Sequence, residues 1–131
     1  MPTLVLKVAP LQNPPRYQQL AQALTRLSTL HLRKRAEVTA VVIEDLPAAR
    51  WFVGSQPLQR PTALLEISIT AGTNTAAEKE AFIAAAYAEL EAQLGEGLPL
   101  EDASYVIVRE LAAGDWGYAG VTQAARRAAF I

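Results

Sequence analysis

The chain has 131 residues, of which 51% are hydrophobic and 19% charged, and its formal net charge is −1. These values are typical of one compact domain and argue against a disordered or nucleic-acid-binding chain. Cysteine is absent and His31 is the single histidine, which excludes a thiolate site and disfavours a histidine-based metal site. No apolar run approaches the roughly 20 residues that span a bilayer. Because the first residues also lack a signal segment, we expect a cytoplasmic protein without a membrane partner.

A strand, a helix and a second strand are predicted in the first part of the chain. Residues 3–9 alternate between the two faces of a half-buried strand. Asn13 followed by two prolines marks a helix start, and apolar residues then recur at helical spacing as far as His31. The basic cluster at 33–35 closes this helix, where cations suit the negative end of the helix dipole. The β-branched run at 38–43 predicts the second strand.

The second half of the chain repeats this order. Residues 63–70 predict a strand, and the segment Thr75-Ala76-Ala77-Glu78 has the spacing of a helix capping box. Helical spacing then continues to Gly95, which supplies a stop, and residues 105–108 predict another strand. Three further segments are predicted to be a loop or short hairpin (46–59), a turn (115–120) and a short terminal helix (121–129).

The order βαβ–βαβ predicts an α+β fold. Right-handed crossovers make the two strands of each unit parallel. Two such units form a four-stranded mixed sheet with both helices on one face. We therefore expect a single domain over residues 1–131, made of two βαβ repeats at about 2–59 and 61–121.

The face of the sheet opposite the helices is also expected to be apolar. A sheet that is apolar on both faces needs a second cover. In a chain of this length other subunits are the expected cover, so the pattern predicts an oligomer. The expected contributors to this second face are Val5, Val42, Leu65 and Ile107.

Each of the two units begins with a Pro-Thr pair, at Pro2 and at Pro61. Methionine aminopeptidases remove Met1 when a small residue follows, and this leaves Pro2 as a free secondary amine. An α-amino group has an ordinary pKa of about 7.7–8.0, which burial or nearby cations lower. Pro2 is thus a candidate catalytic base, whereas Pro61 is an internal amide. If Met1 is retained, the nitrogen of Pro2 is also an amide and cannot act as a base.

The N-terminal proline and the duplicated unit together resemble the tautomerase superfamily. This superfamily includes the 4-oxalocrotonate tautomerase, macrophage migration inhibitory factor and 5-carboxymethyl-2-hydroxymuconate isomerase groups. Residues 51–55 look like the linker of migration inhibitory factor, and residues 110–117 look like the end of a 4-oxalocrotonate tautomerase unit. The resemblance implies a homotrimer whose sheets face inward, with Pro2 as the base in an apolar pocket at subunit boundaries. It also implies proton transfer between a carbon and an enol oxygen of a 2-oxo acid, without a metal or other cofactor.

The chain departs from these relatives in the residues that would bind a substrate carboxylate. The arginines of the 4-oxalocrotonate tautomerases are absent, and so is the arginine pair that dehalogenases place after the third strand. The substrate carboxylate therefore needs another partner. The corresponding places hold residues near Gln12 and Ala71, residues Ala40 and Tyr105, and the segment from Thr70 to Thr73.

Five residues are candidates for substrate binding. Arg35 falls closest to a lysine that migration inhibitory factor places between its first helix and second strand, and Lys34 adjoins it. A basic cluster at a helix end also simply stabilises the dipole. Trp51 and Trp116 either pack or form an aromatic wall that excludes water and keeps the amine neutral. Tyr105 either packs or donates a hydrogen bond to a substrate oxygen.

Two classes of function remain open from the sequence. The first is a cofactor-independent isomerase in which Pro2 catalyses keto–enol proton transfer on a small 2-oxo acid or enol. The second is a non-catalytic ligand-binding or assembly module, since the order βαββαβ also fits ferredoxin-like regulatory domains. A protein with the tautomerase fold but an altered activity is an intermediate case, which the missing arginines favour.

Overall fold

The structure is a computed structural model that describes residues 1–129. A four-stranded mixed sheet organises this part of the chain. The strand order is β2-β1-β5-β6, in which the two outer pairs are parallel and the central pair is antiparallel. This confirms the predicted α+β class with two main helices. The elements are β1 (Thr3–Ala9), α1 (Pro14–Leu32), β2 (Ala40–Asp45), β3 (Phe52–Val53), β4 (Gln56–Pro57), β5 (Thr62–Thr70), α2 (Ala76–Leu94), β6 (Tyr105–Leu111), β7 (Gly117–Tyr118), β8 (Val121–Thr122) and α3 (Gln123–Ala128).

One side of the sheet forms the hydrophobic core against α1 and α2. Leu6 of β1 lies opposite Leu65 of β5, and both side chains are fully buried. Leu24 of α1 and Phe82 of α2 belong to the same buried cluster. Leu65 was expected on the opposite face, and this expectation was wrong: its register with Leu6 places it toward the helices.

The opposite face of the sheet is mixed rather than uniformly apolar. Val5 lies between Val42 and Glu66, and Glu66 in turn lies opposite Ile107. An ion pair joins Glu66 to Arg109 at 3.4 Å. Val42 nevertheless remains 51% exposed, which is unusual for valine in a four-stranded sheet. The expected apolar stripe is therefore present at three positions but is interrupted by charge.

Helix α1 ends one residue before the basic cluster. Arg33 adopts the left-handed conformation at φ 58°, and its N–H donates to the carbonyl of Thr29 at 3.1 Å. The cluster therefore lies in the connection after the helix rather than in its last turn. A single 3₁₀ turn at Ala36–Val38 follows, which delays β2 by two residues relative to the predicted start at 38.

The predicted capping box of α2 is confirmed, and it also binds the end of α1. Glu78 donates its backbone N–H to Thr75 Oγ1 at 3.1 Å, and the carboxylate of Glu78 accepts from the backbone N–H of Thr75 at 2.9 Å. Arg33 donates to the same carboxylate at 2.7 Å. Asn74 donates through its amide to the carbonyl of Leu32 at 2.9 Å. Together these bonds tie the C-terminal end of α1 to the N-terminal end of α2.

We expect acid to weaken this junction through Glu78. Hydrogen bonds, first from Arg33 and then from the backbone of Thr75 and the side chain of Asn74, lower the pKa of Glu78 from 4.5 to about 2. A depressed pKa in the folded state stabilises the protein above pH 4.5, and that stabilisation is lost as the pH falls toward about 2. Glu78→Gln keeps a capping acceptor but removes the charge. Its melting temperature should be lower than that of the unmodified protein at neutral pH, and the difference should shrink across this acidic window.

A matched control for this measurement is Glu80→Gln, at an exposed position on the same helix. No ion pair joins Glu80 to another of residues 1–129. Thermal melts of both variants from pH 7 to pH 2 separate the junction from a general effect of charge. A constant difference between Glu78→Gln and the unmodified protein at all these pH values contradicts the prediction.

The predicted loop or hairpin before β5 contains the short pair β3–β4. Strand β7 lies in the predicted turn at 115–120, but its partner β8 occupies the first two residues of the predicted terminal helix, so that α3 begins at Gln123 rather than at 121. Strand β6 extends three residues beyond the predicted end at 108. None of the described helices is both long and apolar enough to cross a membrane.

Candidate functional site

Pro2 is buried at the beginning of β1. Its carbonyl oxygen accepts a hydrogen bond from the backbone N–H of Ala40 at 3.2 Å, so the parallel strands β1 and β2 begin side by side. On the other side of β1, Thr3 lies opposite Ser68, near the C-terminal end of β5. The N-terminus is thus fixed at one corner of the sheet by main-chain pairing.

A cavity of about 300 Å³ lies at this corner, beside Met1. Three separate parts of the chain form its walls: the connection after α1, the end of β5 with the turn that follows, and the segment from β7 to α3. Residues distant in sequence therefore meet around the N-terminus. Its lining residues are Met1, Arg35, Val38, Thr70, Thr73, Tyr118, Gln123, Arg126 and Arg127.

The cavity is cationic. Three arginines line it, and no carboxylate residue does. Burial, followed by repulsion from Lys34 and Arg35, lowers the pKa of the Met1 α-amino group below its ordinary value of 8.0. Burial and repulsion from Arg33 likewise lower the pKa of Lys34, whose ammonium donates to Thr73 Oγ1 at 3.1 Å. This corner therefore favours an anionic ligand and a neutral amine.

The three residues of the basic cluster have different environments. Arg33 is bound to Glu78 at the junction of the two helices. Lys34 is half-buried behind the cavity, against Thr73. Arg35 lines the cavity but is 71% exposed and pairs with Glu37 at 2.8 Å. The structure therefore brings two candidates, Lys34 and Arg35, to the corner of Pro2, and gives Arg33 a structural contact.

Trp116 lies behind the cavity rather than on its surface. Its indole N–H donates to Thr70 Oγ1 at 3.2 Å, and Thr70 itself lines the cavity. The carbonyl of Trp116 also accepts from the backbone N–H of Gln123 at 2.9 Å. Trp116 thus joins the end of β5 to the start of α3, which is a packing role that also shapes the site.

Trp51 and Tyr105 lie at a different place. They line a shallow depression of about 340 Å³ that also includes Leu64. Leu64 is paired with Tyr105, and it lies four residues along β5 from Ser68, which is the neighbour of Thr3. At about 3.3 Å per residue this is a separation of roughly 13 Å. Within one chain, these two aromatic residues do not wall the cavity at Pro2.

Three lining residues, Arg126, Arg127 and Tyr118, were not predicted from the sequence. The guanidinium of Arg126 lies 3.7 Å from the centre of the Tyr118 ring and donates to the Tyr118 carbonyl oxygen at 2.8 Å. The one available signal was a pair of adjacent arginines in a short terminal helix, which reads equally well as a solvated surface. Their placement depends on the β7–β8 hairpin, which turns the chain back toward the N-terminus.

Residues 1–129 contain no group of three or more histidine, aspartate or glutamate side chains close enough to hold a metal ion. The oxygen-bearing groups that line the cavity are hydroxyls and an amide.

Solved structures share this architecture over nearly the whole chain. A protein described as "F6 fused 4-OT wild type asymmetric trimer" is 25% identical, with a TM-score of 0.81 over 95% of this chain and 98% of that one. Pt0534 inactivated by 2-oxo-3-pentynoate is 17% identical, with a TM-score of 0.82 and the same coverage, 95% and 98%. The macrophage migration inhibitory factor of Toxoplasma gondii is 16% identical, with a TM-score of 0.74 over 92% and 98%. No protein-family model matches the sequence, and no curated protein is significantly similar to it.

Proposed function

The chain has the fold of the tautomerase superfamily, in the two-unit form of the fused 4-OT proteins, and from this premise we propose that it is a cofactor-independent tautomerase with Pro2 as its base. The observation that carries the proposal is the cationic cavity beside Met1, at the corner of the sheet where Pro2 immediately precedes β1. The surroundings that lower the pKa of the Met1 amine would act in the same way on a Pro2 amine. A neutral secondary amine beside an anion site is what proton abstraction from a 2-oxo acid requires.

The proposed reaction is a proton transfer within the substrate. The neutral Pro2 amine removes a proton from the carbon next to the carbonyl. The electron pair of that C–H bond forms the new C=C bond, and the π electrons of the carbonyl move onto its oxygen. The protonated amine then returns the proton to this oxygen, which gives the enol; ketonisation is the reverse. Cations around the cavity stabilise the negative charge that develops on the oxygen.

Substrate binding is assigned to the remaining predicted residues. Arg35 lines the cavity and would attract the negatively charged substrate, with Lys34 adding positive charge behind it. Trp51 and Tyr105 lie too far away in the same chain, so we propose that they approach Pro2 from a neighbouring subunit. Trp116 would support the wall through Thr70. The whole chain is proposed to act as one domain of two repeats, located in the cytoplasm.

The N-terminus decides this proposal. Mass spectrometry of the natural protein should find Met1 absent and Pro2 exposed. Incubation with 2-oxo-3-pentynoate, the compound in the structure of inactivated Pt0534, should then add one covalent label on Pro2 and abolish conversion of phenylenolpyruvate. If all molecules of the natural protein keep Met1, the nitrogen of Pro2 is an amide and the proposed base does not exist.

We also propose a homotrimer, in which the open face of the sheet is covered by neighbouring subunits. The support is the exposed valine and tyrosine on that face and the trimeric description of a structural neighbour. Light scattering in dilute buffer should give about three times the mass of one chain. Val42→Asp, at a position 51% exposed on the open face, should reduce the mass to that of a monomer. Leu30→Asp, at a position 67% exposed on α1, should not.

The alternative function is a non-catalytic ligand-binding or assembly module with the same fold. The missing family arginines favour it. This alternative predicts that a Met1-free preparation binds 2-oxo acids but does not change the rate at which phenylenolpyruvate ketonises. Measured binding without turnover is the result that selects it.

A further inference from the structure

Helix α3 supplies an arginine, Arg126, to the cavity beside Met1, and this arginine forms no ion pair with another of residues 1–129. Arg126 lies on α3 and lines the cavity together with Met1. It appears in none of the ion pairs of the described residues, whereas Arg35 on the same cavity is paired with Glu37. Of the three lining arginines, Arg127 is exposed, while Arg126 is partly buried. Arg126 is thus the lining arginine whose charge is both partly shielded from solvent and left without a carboxylate partner in the described chain.

The position of Arg126 is held by contacts that leave most of its hydrogen-bond donors unused. The guanidinium stacks on the Tyr118 ring at 3.7 Å, and one terminal nitrogen donates to the Tyr118 carbonyl oxygen at 2.8 Å. Its Nε is buried and has no hydrogen-bond partner among the described residues. A guanidinium carries five N–H donors in a rigid fork. A buried polar group without a partner is rare.

The segment that carries Arg126 is itself firmly placed. Thr122 caps α3 by accepting from the backbone N–H of Ala125 at 3.0 Å. The N–H of Ala124 donates to the carbonyl of Ala113 at 2.8 Å. The β7–β8 pair lies in the chain segment between Ala113 and Ala124. The guanidinium is therefore presented to the cavity from a fixed position, which lowers the entropic cost of binding an anion.

We propose that Arg126, held by Tyr118, binds the carboxylate of the 2-oxo acid in this cavity. The assignment rests on the proposed function for the site but not on Pro2 being the base. A planar guanidinium with free N–H donors can bind both oxygens of a carboxylate, whereas the ammonium of Lys34 is a point charge and does not match this geometry. Loss of Met1 enlarges the space beside Arg126, because Met1 lines the same cavity. This arginine takes the place of the family arginines that the sequence lacks.

The test is a binding titration with benzoylformate, a 2-oxo acid that has no hydrogen next to its carbonyl and cannot tautomerise. Calorimetry with the Met1-free protein should show binding that Arg126→Gln weakens by about tenfold or more, as expected for a charge-assisted hydrogen bond. Glutamine is neutral but can still donate to the Tyr118 carbonyl. Arg26→Gln, at an exposed position on α1, is the matched control and should bind normally. Methyl benzoylformate, which lacks the carboxylate charge, should not discriminate between Arg126→Gln and the unmodified protein.

Two further variants keep the test decisive if Arg126→Gln does not fold. Tyr118→Leu removes the ring that holds the guanidinium and should also weaken benzoylformate binding, whereas Tyr118→Phe keeps the ring and should not. Equal affinity in the unmodified, Arg126→Gln and Tyr118→Leu proteins overturns the proposal, as does an absence of benzoylformate binding to the unmodified protein. Pro2→Ala separates this proposal from catalysis: an inactive Pro2→Ala protein whose binding still depends on Arg126 supports the carboxylate site, whatever the base is.

Discussion

Protein without Met1 should convert phenylenolpyruvate to its keto form at least about a hundredfold faster than protein that keeps Met1. This is the lower range of what a positioned general base contributes. In the Met1-retaining protein the nitrogen of Pro2 is an amide whose lone pair is delocalised and cannot accept a proton. Expression with an inhibitor of methionine aminopeptidase yields the retained form, and mass spectrometry verifies each preparation before the rates are compared.

The pH dependence of the same reaction reports on the base. Burial, followed by repulsion from Lys34 and Arg35, lowers the pKa of the Met1 amine. We expect the same surroundings to lower the pKa of the Pro2 amine once Met1 is removed. The amine is catalytic only when neutral. The rate should therefore rise with pH, with a midpoint below 8.0, the ordinary value for an α-amino group.

Pro61→Ala is the matched control for the catalytic role of Pro2. Pro61 opens the second repeat as Pro2 opens the first, but it is an internal amide with no basic nitrogen. The backbone carbonyl of Pro61 accepts from Glu101 at 2.9 Å, and alanine preserves this contact. Activity should therefore survive Pro61→Ala. Equal rates from the Met1-free and Met1-retaining proteins would show that Pro2 is not the base and would favour the binding-module alternative.

Phe82→Ala should reduce the free energy of unfolding by about 3–5 kcal/mol, the usual cost of removing a buried aromatic side chain. Phe82 is fully buried between the sheet and the helices. Natural domains are stable by only about 5–15 kcal/mol, so this one change removes much of the total. Denaturant unfolding at a fixed protein concentration measures it, because association would otherwise change the apparent stability.

The neighbouring residue provides the control for this measurement. Ile83 is 37% exposed on the same helix. Ile83→Ala has nearly the same effect on helix propensity but opens no enclosed cavity, so its cost should be about 1 kcal/mol or less. Similar losses from both variants would mean that the helix, and not the core around Phe82, limits stability.

Much of the fold could be predicted from the sequence because each element carries a local signal. Alternating side chains mark β1, two prolines after Asn13 mark the start of α1, and Thr75 with Glu78 marks the start of α2. These signals act within a few residues, where steric and hydrogen-bonding rules are strong. The errors lie where the signal is weak: the start of β2, which a 3₁₀ turn delays, and the face occupied by Leu65.

The face of Leu65 shows what local patterns leave undecided. Side chains alternate along β5, so the sequence establishes that Leu65 and Glu66 point in opposite directions, but not which one meets the helices. The antiparallel register, Leu65 with Leu6, decides this. A shift of one residue in that register would reverse every side chain of the strand.

The sequence by itself determined the βαβ–βαβ order, the two helices and the candidate status of Pro2, because all three depend on neighbours in the chain. Only the tertiary structure decided which side chains gather at the N-terminus. It brought Arg126 and Tyr118 to the N-terminus from more than a hundred residues away in sequence, and it set Trp51 and Tyr105 apart at another position on the sheet. The physical reason is that the cavity forms where strand ends, a connection and a terminal helix meet. Strand order and register decide where these elements meet, and no local sequence pattern does.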